Sequence, residues 1–332
     1  MKAKSSGGHL VKTGGLRFTE GRLGLIIALV VLVVAFSFLS DYFLTWLNFT
    51  QLLLAVAING ILASGMTLVV VSKGIDLSVG SVVAFGSTVL GYLMSKDYSL
   101  MSVAMLLCVF IGVGAGLING LCITKLRISP LITTLATMTA FRAAAMLFSD
   151  GVAFGIKGST PAFPDFGFWG RGTLLSIPAP VWLMILVSVL VYLLLNRTIF
   201  GRKVYAIGGN EEAAHVSGIN VNRTKMIIYT INGLICGFAG IILASRLAAG
   251  VPSAAIGYEL TAVSAVVLGG TSLDGGKGRI FDTFLAVIVL GVLANGFVLL
   301  GLPRNWEDFA RGCILIIAVG IDQFRQRRTS NE

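Results

Sequence analysis

Apolar residues fill most of this chain in long runs, and short polar or glycine-rich stretches separate the runs. A helix needs about 20 mainly apolar residues to cross a membrane, and hydropathy on that basis predicts ten spans. The predicted spans cover residues 23–39, 52–71, 81–94, 101–123, 131–148, 181–195, 226–247, 261–268, 281–300 and 310–321. The pattern therefore predicts an all-α, polytopic membrane protein.

Two of these spans, 81–94 and 261–268, are too short to cross as regular helices. They can cross only with their glycine-rich neighbours, so we expect broken or re-entrant helices there. We call residues 72–81 the first break and residues 269–279 the second break. Both contain the pattern Gly-x-x-Leu-x-x-Gly, at residues 74–80 and 270–276, which suggests an internal repeat.

The two breaks differ in the chemistry they suggest. In the first break, Asp76 or Ser78 is expected to cap the helix that follows. The second break resembles a phosphate-binding loop, but it has Thr271 where that loop needs glycine and Gly278 where it needs Ser or Thr. We therefore expect no ATP binding by a P-loop in this chain.

The distribution of basic residues predicts the orientation. Ten crossings place both termini on one side, and on that side the loops and tails hold 18 of the 25 Lys and Arg residues. This excess identifies the cytoplasmic side. The organisation is then a basic cytoplasmic tail over 1–22, a transmembrane domain over 23–321 and a cytoplasmic tail over 322–332. The first apolar run is too long for a signal peptide and is expected to remain as a span.

The longest polar island lies between two apolar runs, at residues 196–225, and we call it the coupling loop. It holds five basic residues and the adjacent Glu211 and Glu212. Charges and unpaired backbone groups of such a segment would cost several kcal/mol in lipid, so it must lie outside. A short helix is expected inside it, with Asn210 as N-cap, both glutamates in the first turn and Gly218 at the end. We interpret this segment as a docking surface.

A second long segment, residues 149–180, is predicted on the outer side. Its prolines and aromatic residues favour an ordered cap at the membrane interface. The prolines and aromatics are Pro161, Phe163, Pro164, Phe166, Phe168, Trp169, Pro178 and Pro180. The cap is either a resting place for a partner or an aromatic belt.

Composition agrees with a membrane protein and excludes several other classes. Mean hydropathy is +0.91 and 56% of residues are hydrophobic. The net charge of +10 does not indicate a nucleic-acid-binding protein, because the basic residues separate apolar runs instead of forming one face. The four cysteines lie inside apolar segments without metal-site spacing, and the two histidines are His9 and His215. We therefore expect no metal, no cofactor and no enzymatic activity.

Polar residues inside the predicted spans are the candidates for a transport path. Asn-Gly occurs at Asn59, Asn119, Asn232 and Asn295, each in a different span. Such amides either hold helices together or line a path for a hydroxyl-rich solute, since an amide both donates and accepts hydrogen bonds. Arg142 lies deep in a span, where an arginine needs a partner or a wet cavity.

Glycine spacing predicts close helix packing. One span carries Gly112, Gly116 and Gly120 on one face, and another carries Gly233 and Gly237. Small residues four apart allow backbones to approach closely in membranes. We expect contact seams at both faces.

Several long motifs carry a family resemblance. These are GIDLSVGS, PLITTLATMTAFR, GRKVYAIGGNEEAAHVSGINVNRTK, AGIILASRLAAG and IGYELTAVSAVVLGGTSLDGGKGRI. In this order they resemble the ribose/arabinose-type permease subunits of bacterial ATP-binding-cassette sugar importers, over about residues 52–328. The chain departs from the family pattern at Lys73, Ala143 and Asp282.

The resemblance implies a permease of about ten spans in the bacterial inner membrane. It implies three protein partners: an ATPase subunit, a periplasmic sugar-binding protein and a second permease copy in a homodimer or heterodimer. The implied ATPase-coupling residues are Gly209, Asn210, Glu211, Glu212, Ala213, Ala214 and Gly218. The candidate residues of the translocation pathway are Asn59, Asp76, Ser78, Asn119, Arg142, Asn232 and Asn295. The alternative is a stand-alone secondary carrier or facilitator for a small polar solute.

Overall fold

The computed structural model describes the backbone of residues 14–156 and 165–330, and the side chains of residues 22–156 and 165–320. Helices make up most of this described backbone. They are α1 Gly14–Leu39, α2 Trp46–Val71, α3 Val79–Lys96, α4 Met101–Thr124, α5 Pro130–Ser149, α6 Phe168–Arg171, α7 Ala179–Arg197, α8 Ile199–Gly209, α9 Glu211–Val216, α10 Val221–Leu247, α11 Tyr258–Leu268, α12 Ile280–Leu299 and α13 Arg304–Ser330. The strands are β1 Phe154–Gly155, β2 Thr173–Leu174, β3 Ile177–Pro178 and β4 Ala249–Gly250.

Seven helices of the described chain are long and apolar enough to cross a membrane, and they coincide with seven of the ten predicted spans. The remaining predicted spans, 81–94, 261–268 and 310–321, fall within α3, α11 and α13. As expected, α11 is short: its 11 residues measure about 16 Å at 1.5 Å per residue. The chain is therefore a polytopic α-helical membrane protein.

Helix α2 lies at the centre of the bundle. Its most apolar window is 83% buried, and it packs against α7, α10, α11 and α12. A helix that is apolar on all sides is typical of a buried position. Gly60 and Gly65 bring the backbone of α2 close to its neighbours, because a Cβ at either position would collide with a side chain of α7 or α10.

The predicted glycine seams are confirmed, and they face each other. A Cβ added to Gly112 would collide with the backbone of Gly233 and Gly237, and a Cβ on Gly116 would collide with the carbonyl of Tyr229. The Cys108 thiol also donates to the carbonyl of Gly237, at 3.2 Å. Helices α4 and α10 therefore meet backbone to backbone.

One end of the bundle carries short strand pairings. Strand β1 pairs antiparallel with β4, and β2 with β3. Phe166 is fully buried, its amide donates to the Tyr98 hydroxyl at 3.0 Å, and its carbonyl accepts from Ser245 Oγ at 2.6 Å. The described part of segment 149–180 is thus ordered as predicted, whereas Pro161, Phe163 and Pro164 lie outside the described residues.

Helix α1 is fastened to α12 by a bridge at one end. Arg22 Nε lies 2.8 Å from Asp282 Oδ1, and the guanidinium carbon lies 5.1 Å from the centre of the Phe281 ring. At the other end, Phe36 fills the space that a side chain at Gly296 would need. Asp282, one of the departures from the family pattern, therefore holds α1 in place.

The glycine seam yields a matched pair of variants. Gly116→Ala should destabilise the protein by about 1–3 kcal/mol, the usual cost of overpacking, because its Cβ would meet the α10 backbone. Gly114→Ala lies on the same helix, where an added Cβ meets nothing within 4 Å, and it should be neutral or stabilising because alanine favours helix. Melting temperatures of both variants in detergent test this, and equal melting temperatures would contradict the seam.

Candidate functional site

Helix α8 forms the first half of the coupling loop. The Thr198 hydroxyl caps it by accepting from the amide of Gly201 at 3.1 Å. Val204 and Ile207 are buried, whereas Arg202 and Lys203 are exposed, so the helix is amphipathic. The loop predicted from sequence is therefore mostly helical, and the polar face of α8 is exposed.

Helix α9 forms the tip of the coupling loop, and its predicted ends are confirmed. Asn210 Oδ1 accepts from the amide of Ala213 at 2.9 Å, and Gly218 follows the helix with a φ of +83°. Both glutamates are exposed in the first turn, where carboxylates suit the helix dipole. Ala214 is buried in a small cluster with Ile207 and Val221.

A salt bridge fixes the orientation of α9. Lys225 Nζ at the start of α10 lies 2.6 Å from Glu211 Oε2. The Glu211 side chain remains 51% exposed, so this bridge adds little to the stability of the protein. Its main effect is to fix the orientation of α9. Glu212 lies beside it and is exposed.

The end of α8 touches the end of α2 and the second break through glycine backbones. A Cβ added to Gly208 would collide with the Val71 carbonyl and with the amide nitrogen of Gly276. That amide donates to the Val71 carbonyl at 2.9 Å. Gly275 and Gly276 have φ of +83° and +71°, which residues with a Cβ adopt only at a cost. One compact joint therefore connects α8, the end of α2 and the second break.

Tyr205 reinforces this joint. Its hydroxyl donates to the Gly278 carbonyl at 2.9 Å. Burial raises the pKa of the Tyr205 phenol above its ordinary value, so the phenol stays protonated and keeps its role as a donor at neutral pH. Helix α8 is thus attached to the second break by a side chain as well as by backbone packing.

The first break contains a buried carboxylate, Asp76, which is 2% exposed. Its Oδ1 accepts from the Ser78 amide at 3.0 Å and from the Ser78 hydroxyl at 2.6 Å. Its Oδ2 accepts from Asn232 Nδ2 at 2.8 Å. These three donors are uncharged, and a buried carboxylate needs such bonds to offset its loss of water.

The prediction of a cap at the first break is wrong. Ser78 occupies the N-cap position of α3, but its hydroxyl donates to Asp76 instead of accepting from the first turn. Asp76 in turn bonds to the Ser78 amide, which precedes the helix. The carboxylate, being the stronger acceptor, accepts the hydrogen bond of the Ser78 hydroxyl, so this hydroxyl organises the break instead of the helix end.

Two further side chains extend the series of hydrogen bonds that begins at Asp76. Asn119 Nδ2 donates to Ser78 Oγ at 2.9 Å, and Thr137 Oγ1 donates to Asn119 Oδ1 at 2.7 Å. Asn119 lies on α4, Thr137 on α5 and Asn232 on α10. We call Asp76, Ser78, Asn119, Thr137 and Asn232 the polar network. It joins three helices and the first break in one sequence of hydrogen bonds.

One acceptor of the polar network has no donor among the described residues. Asn232 Oδ1 is buried and has no hydrogen-bond partner among the described residues. It lies against Gly65 of α2, where a Cβ would collide with it. A buried unpaired acceptor costs about 1–3 kcal/mol, which makes it a candidate for a role in function.

The other pathway candidates lie elsewhere. Asn295 forms a reciprocal amide pair with Asn48 of α2, at 2.8 and 3.0 Å, so it holds two helices together. Asn59 Nδ2 bonds to the carbonyl of Ala55 in its own helix, at 3.4 Å. Arg142 donates to the carbonyls at 252 and 254, at 2.8 and 2.7 Å. The structure therefore unites four of the seven candidates and separates these three.

The pathway candidates leave out Glu259, which the sequence places near the end of a predicted span. Its Oε2 is buried without a partner among the described residues, next to Gly80 of α3. A signal for it exists: residues 74–81 and 257–264 share the pattern Gly-x-Asp/Glu-Leu-Ser/Thr-x-x-Ser. The two copies also touch, because a Cβ on Gly80 would collide with Glu259 and with the Ala255 carbonyl.

The repeat predicted between the two breaks is not supported. Gly80 lies inside α3, whereas Gly276 lies in the loop after α11 with a positive φ. The two positions therefore have different local structures. The segments 74–81 and 257–264 match at more sequence positions, although α3 begins at Val79, the sixth position of the first, and α11 at Tyr258, the second position of the other.

Comparisons with known proteins identify the family. Residues 48–319 match the family described as "Branched-chain amino acid transport system / permease component". The chain is 45% identical to the ribose import permease protein of Bacillus subtilis over 303 residues, which are 91% of this chain and 92% of that protein. It is 40% identical to the ribose import permease protein of Escherichia coli K12, with 91% and 93% covered.

A third relative has a different name but a similar degree of identity. The L-arabinose transport system permease protein of Escherichia coli K12 is 40% identical over 322 residues, with 93% of this chain and 94% of that protein covered. The comparison with solved structures found no match. The chain belongs to this family of transport permeases, and it is a multi-pass protein of the inner membrane.

Proposed function

We propose that the chain is the permease subunit of an ATP-driven importer, and that it translocates a monosaccharide delivered by a periplasmic binding protein. The observation that carries this proposal is α9. It is a short, capped helix with an exposed acidic first turn, joined through α8 to the end of α2 and to the second break. A helix of this kind suits docking to an ATPase subunit. The names of the ribose and arabinose relatives support a monosaccharide as the solute.

The topology that fits this role has ten crossings and both termini in the cytoplasm. Helices α3, α11 and α13 then supply the crossings beyond the seven long apolar helices, with the two breaks extending the short ones. The excess of basic residues on one side supports the orientation. It places the coupling loop in the cytoplasm, where an ATPase subunit can reach it.

The partners are those that a permease driven by a separate ATPase needs. ATP hydrolysis takes place in a separate ATPase subunit, which docks on the coupling residues around Asn210 and Glu212. A second permease copy, either identical or a sister chain, completes the transmembrane unit. The binding protein delivers the solute at the outer end, where the ordered segment around Phe166 offers a surface.

The geometry suggests how movement passes into the membrane. A displacement of α9 moves α8 with it, because Lys225, Asn210 and the cluster around Ala214 hold the loop together. Helix α8 then pushes directly on Val71 and Gly276, with no side chains between to absorb the motion. Glycine-lined seams such as α4–α10 let helices shift as rigid bodies.

The polar network is the part of the bundle best suited to a sugar. Amides and hydroxyls both donate and accept, as sugar hydroxyls do. The unpaired oxygen of Asn232 is an acceptor without a donor, which a solute hydroxyl could supply when the bundle opens. Arg142 has a positioning role here, since it holds the loop before α11.

Glu212→Lys tests the docking role without breaking the Lys225–Glu211 bridge. We expect ATP-dependent uptake to fall at least about tenfold, which corresponds to 1.4 kcal/mol of coupling, while the amount of permease in the membrane is unchanged. The control is Asp41→Lys, an exposed acid between α1 and α2, which should transport normally. Uptake and ATP hydrolysis are measured in vesicles with the assembled importer. Normal uptake by Glu212→Lys would contradict the docking role.

Thr137→Val tests the polar network against a matched residue on the same helix. It removes the donor to Asn119, a bond worth about 0.5–1.5 kcal/mol, and should lower uptake per folded permease about two- to tenfold. Thr139→Val removes a hydroxyl that bonds only within its own helix, to Leu135 at 3.1 Å, and should have no effect. If Thr137→Val lowers the melting temperature but transports normally, the network is structural only.

The proposal as a whole is tested with vesicles that contain the permease alone or together with an ATPase subunit and binding protein. Accumulation of monosaccharide should require all three components and ATP. Accumulation by the permease alone would instead support a stand-alone carrier.

A further inference from the structure

The connection between α4 and α5 forms a cleft with the tip of the coupling loop. This cleft has a volume of about 960 Å³. One wall contains Arg127, Ile128 and Ser129 of the connection, and the opposite wall contains Glu211, Glu212 and His215 of α9. The connection thus lies at the same end of the molecule as α9 and faces it.

The connection exposes apolar side chains beyond the end of its membrane span. Helix α4 has 24 residues, about 36 Å at 1.5 Å per residue, which exceeds the hydrocarbon thickness of about 30 Å. Leu126 follows it and is 67% exposed, and Ile128 is 38% exposed. Exposed apolar groups next to charged residues such as Lys125 and Arg127 are typical of a protein interaction site.

The backbone of the connection is held in an unfavourable conformation. Arg127 has a φ of +56°, which is disfavoured for a residue with a Cβ. The turn is fixed by bonds to the end of α4, from the Lys125 amide to the carbonyl of Leu121 at 2.8 Å and from the Ile128 amide to that of Cys122 at 3.3 Å. Leu126, Arg127 and Ile128 are therefore presented on a rigid turn.

We propose that residues 125–129 are a second docking surface for the same ATPase subunit, which inserts between this connection and α9. The inference rests on the proposed function and extends it from one docking element to two. A protein fits the cleft better than lipid headgroups do, because the cleft is lined by acids as well as bases and its rim is apolar. The cleft is also continuous with the docking face of α9.

The proposed second docking surface is linked to the polar network by contacts of its own. Helix α5 begins at Pro130, directly after the connection. Thr134 in its second turn bonds to the Ile75 carbonyl of the first break at 3.3 Å, and Thr137 bonds to Asn119 at 2.7 Å. A displacement of the connection is therefore transmitted to the first break through α5. A displacement of α9 is transmitted to Val71 and the second break through α8.

Site-specific photo-crosslinking in the assembled importer tests the inference. A photoreactive residue at Leu126 should form an adduct with the ATPase subunit. The control is Ile132, which is 61% exposed on α5 and should label lipid. A photoreactive residue at Glu212 reports on the α9 docking role by itself.

The outcomes separate the two proposals. Adducts of the ATPase with both 126 and 212 support the second surface, whereas an adduct with 212 alone overturns it and leaves the α9 role intact. Labelling of phospholipid only at 126 also overturns it. If neither position labels the ATPase, the proposed function fails together with this inference.

Leu126→Glu gives a functional readout of the same surface. A charge at the rim should weaken the contact, so stimulation of ATP hydrolysis by the loaded binding protein should fall at least about fivefold at an unchanged amount of permease in the membrane. Leu131→Glu cannot serve as a control, since it would place a charge in the α5 span, so Asp41→Lys, which lies outside both proposed docking surfaces, is used and should cause less than a twofold change. Normal stimulation in Leu126→Glu would contradict the inference.

Discussion

The structure depends on the rule that backbone hydrogen-bonding groups must be satisfied where no water is available. An interrupted helix leaves backbone amides and carbonyls unpaired unless other groups bond to them. At the end of α2 they do: the carbonyls of Val69 and Val70 accept from amides of the first break, and the carbonyl of Val71 accepts from Gly276 of the second. The end of α2 is therefore bonded to both interruptions. Helix α8 packs on the Val71 carbonyl and on the Gly276 amide, so it contacts the end of α2 and the second break at once.

The same constraint explains the polar network. The chain between α2 and α3 has to turn inside the bundle, and Asp76 provides acceptors for the donors that the turn exposes. A carboxylate in that position is buried, so it needs donors from several helices, which Ser78 and Asn232 supply. Asn119 then donates to the Ser78 hydroxyl, and Thr137 donates to Asn119. The network is thus the consequence of one interrupted helix, and it ties α4, α5 and α10 to that interruption.

Local features were predictable from the sequence, whereas contacts between residues far apart in the chain were not. The Asn210 cap, the acidic first turn of α9 and the glycine seams depend on neighbours within one or two helical turns, and all are confirmed. The approach of Asn232 to Asp76 joins residues 156 positions apart, and nothing local encodes it. Asn295 was misleading for a related reason: its partner Asn48 lacks the Asn-Gly signature, so the pair was invisible to a search for that motif.

The departures from the family pattern have local physical consequences in this chain. Lys73 adopts a φ of +64°, where glycine is free of strain and a residue with a Cβ costs about 1–2 kcal/mol. Its Cβ is also the atom that a side chain at Gly275 would meet, so it adds bulk at the joint between the two breaks. Asp282 acts at a different place, because its bridge to Arg22 fastens α1 beside the start of α12. Stiffness at this joint matters for coupling, since a push from α8 is useful only if it moves the ends of α2 and α12 instead of deforming the loop between them.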